Sequence, residues 1–263
     1  MDDIAISFRN VGKTFAGCGA VVAVDDLTFD VRCGEYVCIV GRTGCGKSTT
    51  FGLLLGLQRP SRGSVRTFGS DPFARFDDLR GKIGCVFQSD RLLPWRSAID
   101  NVRVPIEIIG VDERRLQQSP AQWLDRLGLR GFENAYPHEL SGGMRQRVAI
   151  ARALASDPSA LLADEAFGHL DEVTGGKLRE DFRRLAKEGG KTVLHVTHSI
   201  DEAIALGDRI LVFGQPGHVA AEFAGQRVTG AAVRDQLRER IFRAIGDSDR
   251  RGAGDRAAGR AAA

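Results

Sequence analysis

The sequence predicts an α/β fold with a helical subdomain set into it, on three observations. The stretch GRTGCGKST (Gly41–Thr49) lies between a short apolar run, Tyr36–Val40, and an apolar helical pattern, Thr50–Leu57. That is the strand–loop–helix setting of a phosphate-binding P-loop. Strand periodicity gives way to helical periodicity after Gln88 and returns near Ala160. Apolar strands end on the polar side chains Gln88, Asp164 and His198, at the strand edge where open α/β sheets place ligands.

The loop has a physical reading position by position. Gly41, Gly44 and Gly46 let the backbone curl tightly because they carry no Cβ. The curl aims N–H groups inward and makes a nest for an anion, and the helix behind it adds the positive end of its dipole. Arg42, Thr43, Cys45 and Thr49 complete the loop, Lys47 supplies a charge to the outer phosphates, and Ser48 offers a hydroxyl to a phosphate-bound Mg²⁺.

Bulk properties bound the remaining choices. The 263 residues suffice for one large or two small domains, with 43% apolar and 27% charged residues, as in ordinary globular proteins. A net charge of +3, with both signs interleaved, does not argue for a nucleic-acid partner. The cysteines Cys18, Cys33, Cys38, Cys45 and Cys85 form no C-x-x-C pair, which reads as reduced thiols. The opening MDDIAISFRN does not read as a signal peptide, and no run approaches the ~18 apolar residues of a membrane span. Any membrane role is expected to come through a partner.

Along the chain, Ile4–Phe8, Val21–Val24 and Leu27–Val31 read as strands. Phe15, between the first two, fits either a strand-end core position or a ring that stacks on a base. Lys82–Phe87 is a further strand, and by position alone Gln88 reads as its terminator. The segment from about 90 to 157 reads as helical. Ser97 and Asp100 mark a helix start, Ile99, Val102, Ile106 and Ile109 recur at helical intervals, and Pro120–Leu127 carries another helix. Leu92, Leu93 and Trp95 form an apolar set that needs cover, from a partner or from the subdomain's own core.

In LSGGMRQRVAIARAL, Ser141 can cap a helix, and Gly142 and Gly143 leave bare N–H groups at its start. Ala160–Ala163 is a short strand ending in Asp164-Glu165. Adjacent carboxylates at a strand end are costly to bury without cations. After a P-loop, such an Asp suits the Mg²⁺ shell, and Glu165 can orient or deprotonate a water. Thr192–Thr197 is a buried strand running into His198, and Ser199 with Glu202 forms a capping box for the next helix. His195 reads as structural. Ile210–Phe213 and His218–Phe223 suggest a hairpin, Val233–Ile245 a last helix, and residues 247–263 a disordered tail.

The order GRTGCGKST, Gln88, LSGGMRQR, LLADEAFGHLD, His198 resembles the ATPase subunits of ATP-binding-cassette (ABC) transporters over about residues 4–225. VFQSDRLLPW, VAIARAL and VTHSIDEAI resemble the importer ATPases for nitrate, sulfonate, taurine and related solutes. The resemblance implies a P-loop NTPase (RecA-like) core, an antiparallel β subdomain and an inserted helical subdomain, all within one cassette of residues 1–246. It implies ATP and Mg²⁺ as ligands, with Phe15 stacking on adenine and Gly41–Thr49 holding the phosphates. Ser48, Gln88 and Asp164 would serve the metal, and Gln88 would also sense the γ-phosphate. Glu165 would be the catalytic base and His198 the γ-phosphate switch. Ser141, Gly142, Gly143 and Asp171 would contact the opposite subunit's nucleotide or dimer face.

Implied partners are transmembrane permease subunits, a second ATPase subunit (a second copy of this chain) and, indirectly, a periplasmic or extracellular solute-binding protein. The implied place is the cytoplasmic face of the inner membrane. Ala166 stands where the family usually has proline, His169 where it has a small residue, and Ser199 where it has an acid. The competing reading is an ATP-gated regulatory or non-transport cassette, which the presence of Glu165 and His198 disfavours.

Overall fold

In the computed structural model, which describes residues 3–17, 19–168, 172–225 and 230–261, the chain divides into two units. One is Met1–Leu79 with Leu194–Ala263, and the other is Arg80–Val193.

In the first unit, β1 (Ile4–Phe15) is flanked by β2 (Val21–Arg32) and β4 (Arg62–Thr67), both antiparallel to it. Leu27, Phe29 and Val31 of β2 are buried, the period-two pattern of a strand with one face on a core. Phe8 and Phe29 stack across the pair with ring centroids 4.7 Å apart. The sequence suggested separate short strands here. The structure joins them, because β-bulges absorb the interruptions. The pairing with β2 shifts between Phe8 and Val11, where Asn10 takes a left-handed φ of 47°.

A second sheet of this unit is built on β3 (Tyr36–Val40), buried along its whole length. It lies between β7 (Thr192–Thr197), which enters this unit at Leu194, and β8 (Arg209–Gly214), parallel to it. The antiparallel β9 (His218–Ala224) lies beyond β8. Burial on both faces explains the continuous apolar runs. Asp208 accepts the Tyr36 N–H at 2.9 Å at the start of β3. Helix α1 (Lys47–Leu54) begins three residues earlier than the apolar pattern suggested, because Gly46 closes the loop and serves as its N-cap.

The second unit carries β5 (Ile83–Val86) parallel to β6 (Ala160–Asp164). It also holds the helices α2 (Ala98–Ile109), α3 (Pro120–Arg126), α4 (Gly142–Leu154) and α5 (Glu172–Glu188). Ser97 caps α2, accepting the Asp100 N–H at 3.3 Å. Ser119 and Gln122 form a full capping box on α3. Residues 90–157 contain no strand. Helix α4 packs directly on β5. A Cβ placed on Gly84 would lie 2.2 Å from the Ala153 carbonyl oxygen, so only glycine permits this approach.

The remaining helices belong to the first unit: α6 (Ile200–Leu206) and α7 (Ala231–Ala261). The backbone of α7 runs on as helix past Asp247. Low apolar bulk argues against burial, not against local helix. Alanine is the strongest helix former, and Ala253, Ala257, Ala258 and Ala261 recur through this stretch.

Candidate nucleotide site

The first unit builds the phosphate loop mainly from backbone. A Cβ on Gly41 would sit 2.7 Å from the Cys45 sulfur and 2.8 Å from the Phe213 carbonyl oxygen. At Gly46, φ is 89° and a Cβ would meet the Ala23 carbonyl oxygen at 2.6 Å. Gly44 has φ 83°, and Gln215 donates to its carbonyl at 3.3 Å. Lys47 is only 7% exposed, and its ammonium donates to the carbonyls of Gly41 (2.6 Å) and Arg42 (2.9 Å). The lysine charge therefore sits inside the curl. Arg42, Thr43, Gly44 and Ser48 face solvent, and Thr49 is half-buried. Burial pushes the Cys45 thiol above its ordinary range, against the opposing pull of Lys47, so this cysteine acts as a neutral packing group.

Phe15 closes β1 at 39% exposure, with the Lys13 ammonium 5.0 Å from its ring centroid. Of the two sequence readings of Phe15, the core position is excluded by that exposure. His198 follows β7 directly and is exposed. Its neighbours are tied together: Thr197 accepts the Ser199 N–H at 3.0 Å and donates to the Glu202 carboxylate, while Ser199 accepts the Glu202 N–H at 3.2 Å. The expected capping box is thus half formed, since the Ser199 N–H is taken by Thr197. His195 is buried, with Nδ1 3.1 Å from the Tyr36 hydroxyl, in keeping with a structural role.

The second unit gathers the other sequence motifs. Gln88 lies two residues past β5 and is exposed. Ser141 caps α4, accepting the Met144 N–H at 3.2 Å, and it opens the helix with Gly142 toward solvent and Gly143 half-buried. Asp164 ends β6. Glu165 follows with a left-handed φ of 48°, and its carbonyl accepts the Gly168 N–H at 3.2 Å. A non-glycine residue held at positive φ stores strain that surrounding contacts must sustain. Asp171 and His169 lie outside the described residues.

Sequence reasoning missed the side chains that brace these motifs. Gln146 on α4, 5% exposed, donates through Nε2 to the carbonyls of Phe87 (3.3 Å) and Ala166 (2.6 Å). Arg145 donates to the Asp90 carboxylate at 3.0 Å, and Arg152 donates to the carbonyls of Asp90 (2.6 Å) and Arg91 (2.7 Å). Burial lowers the Arg152 pKa, with Asp90 opposing it. Asn101, fully buried, holds the same loop from α2 through Leu93, Arg96 and Ser97. A signal existed in one case: Gln146 is polar on the face of α4 that Ala149, Ile150 and Ala153 bury.

A lysine-filled phosphate curl behind a buried strand, together with a strand-end carboxylate pair, defines a P-loop nucleotide-hydrolysing protein. A family model described as ABC transporter matches residues 24–168, and the chain belongs to that family. It is an ATP-binding, ATP-hydrolysing cassette. It is 42% identical over 204 residues to the taurine import ATP-binding protein TauB of Rhizobium johnstonii, covering 77% of this chain and 76% of that protein. It is 40% identical over 198 residues to the nitrate import ATP-binding protein NrtC of Synechococcus elongatus. That match covers 74% of this chain but only 29% of the relative's length. The dimeric, post-hydrolysis structure of the ATP-binding cassette MJ0796 with ADP and Pi superposes with a TM-score of 0.73 at 34% identity, covering 84% of this chain and 99% of that one.

Proposed function

We propose that this chain powers the uptake of a small solute of the nitrate, sulfonate or taurine kind, as one of two cassettes bound beneath a membrane permease. One observation carries the permease reading. Trp95 is 72% exposed on a loop whose backbone is fastened from within by Arg152 and Asn101. Leu92 of the same stretch is buried and Leu93 half-buried, which leaves Trp95 held out to solvent, a placement that fits cover by a partner. The cassette reaches the membrane through that partner, on the cytoplasmic face. Among the described residues no helix is long and apolar enough to cross a bilayer. The solute-binding protein acts on the permease, and nucleic acid has no part.

Within one cassette spanning residues 1–246, Phe15 stacks on adenine and Gly41–Thr49 hold the phosphates, with Lys47 as the charge. Glu165 takes the proton from the attacking water, and His198 and Gln88 read the γ-phosphate. Asp164, Ser48 and Gln88 offer only oxygen donors, which suits Mg²⁺ carried in on nucleotide. When bound, that ion neutralises charge developing on the phosphates. Ser141, Gly142 and Gly143 address the nucleotide of a second copy of this chain, with Asp171 at the dimer contact. The dimeric MJ0796 cassette supports pairing.

Cysteines placed at Leu93 or Trp95 test the permease reading. With the chain expressed beside its candidate permease, a bifunctional cross-linker is expected to yield a permease adduct. Adducts confined to the chain itself would refute the reading.

A further inference from the structure

One buried amide joins three motifs of the second unit. Gln146 lies five residues along α4 from its N-cap Ser141, roughly 7.5 Å at the rise of a helix. Its Nε2 spends both hydrogens on carbonyls: Phe87, next to Gln88, and Ala166, next to Glu165. Phe87 and Ala166 are 79 residues apart in sequence. The helix lies close on β5, where a Cβ on Gly84 would come 2.2 Å from the Ala153 carbonyl oxygen. Arg145 and Arg152 fasten the Asp90–Arg91 stretch to the same helix. Glu165 itself sits at a left-handed φ of 48°, and Ala166 after it has no ring to fix the backbone.

We infer that Gln146 is the positioning residue that carries a displacement of α4 to the turn holding Glu165. The inference rests on the reading above of Glu165 as the base. A phosphate engaging the N-terminus of α4 at Ser141 pulls on the helix. Gln146 passes that shift to the Ala166 carbonyl, and so to the carboxylate one residue earlier, while its second hydrogen bond keeps the Gln88 loop in step. Ala166 has no ring to fix its φ, so the hydrogen bond at its carbonyl sets where Glu165 points.

The test uses the full chain, with steady-state ATPase rates, ATP affinity by titration and thermal unfolding measured on each variant. Gln146→Met keeps the length and removes both donors. It is expected to lower kcat on the order of 10- to 100-fold, the cost of a small misplacement of a reacting group, with ATP affinity within about twofold of the parent. Gln146→Glu, which turns acceptors toward both carbonyls, is expected to act alike and serves if the methionine variant does not fold. In a Glu165→Gln background, Gln146→Met is expected to have little further effect, because the group it positions is gone. An unchanged kcat in Gln146→Met would overturn the inference. So would a loss of kcat, affinity and thermal midpoint together, or the same fold-loss in the Glu165→Gln background. Full activity in Glu165→Gln alone would instead overturn the assignment of the base.

Discussion

The phosphate loop and the Glu165 turn solve similar problems by different means. Each holds positive-φ backbone next to a charged side chain, on glycines in the loop and on Glu165 itself in the turn. The loop does so mainly with residues local to itself: its three glycines supply the curl, and Lys47 is satisfied by carbonyls five and six residues back, while Gln215 adds a hydrogen bond from far along the chain. The Glu165 turn depends on a side chain 20 residues away in sequence, Gln146. A backbone-built site stays rigid whatever the neighbouring helix does. A site held by a side chain from another helix moves when that helix moves. The first construction suits binding, which must be available before any partner arrives. The second suits chemistry that should wait for a signal.

The sharpest way to break this contrast is Glu165→Gln, which keeps the size but removes the carboxylate proposed as the base. Hydrolysis is expected to slow by ~10²-fold or more while ATP binding persists, and sizing in ATP should show a trapped dimer. Turnover at the parent rate would sink the assignment. Lys47→Ala should do the reverse, lowering ATP affinity by roughly 10- to 100-fold because the phosphates lose a charge-assisted donor. Titration of ATP checks it, and undiminished affinity would mean that the backbone alone grips the phosphates.

Gly46→Ala probes the rigidity of the loop itself. With φ at 89° and a carbonyl 2.6 Å from the new Cβ, it should cost about 2 kcal/mol or more in urea unfolding, with ATP binding impaired. A variant as stable as the parent would show that the loop yields. The smallest effect is expected from Ser97→Ala, which removes the α2 cap beside the Gln88 loop. A loss of about 1 kcal/mol, with unchanged ATP affinity, would show the two regions to be energetically separate. A marked drop in affinity would join them.

Residues whose role is local were legible in the sequence. Glycine spacing announced the loop, Ser97 and Ser141 announced helix starts, and Asp164-Glu165 announced a strand end. One local reading needed correction. Glu202 was expected to cap its own helix in full, but its carboxylate goes to Thr197. This is a competition between two acceptors for one N–H, and composition does not rank them.

The sequence by itself determined that the chain binds a nucleotide phosphate, because a nest of N–H groups with one lysine is made from consecutive residues. It also determined where helices start, since a cap and its N–H lie within one turn. Only the tertiary structure decided what holds the Glu165 turn, where Trp95 faces and why Gly84 is glycine. Each of those depends on a carbonyl or a surface brought near by packing. The donors Gln146, Arg145, Arg152 and Asn101 look like ordinary polar helix residues until the fold puts main-chain acceptors within their reach.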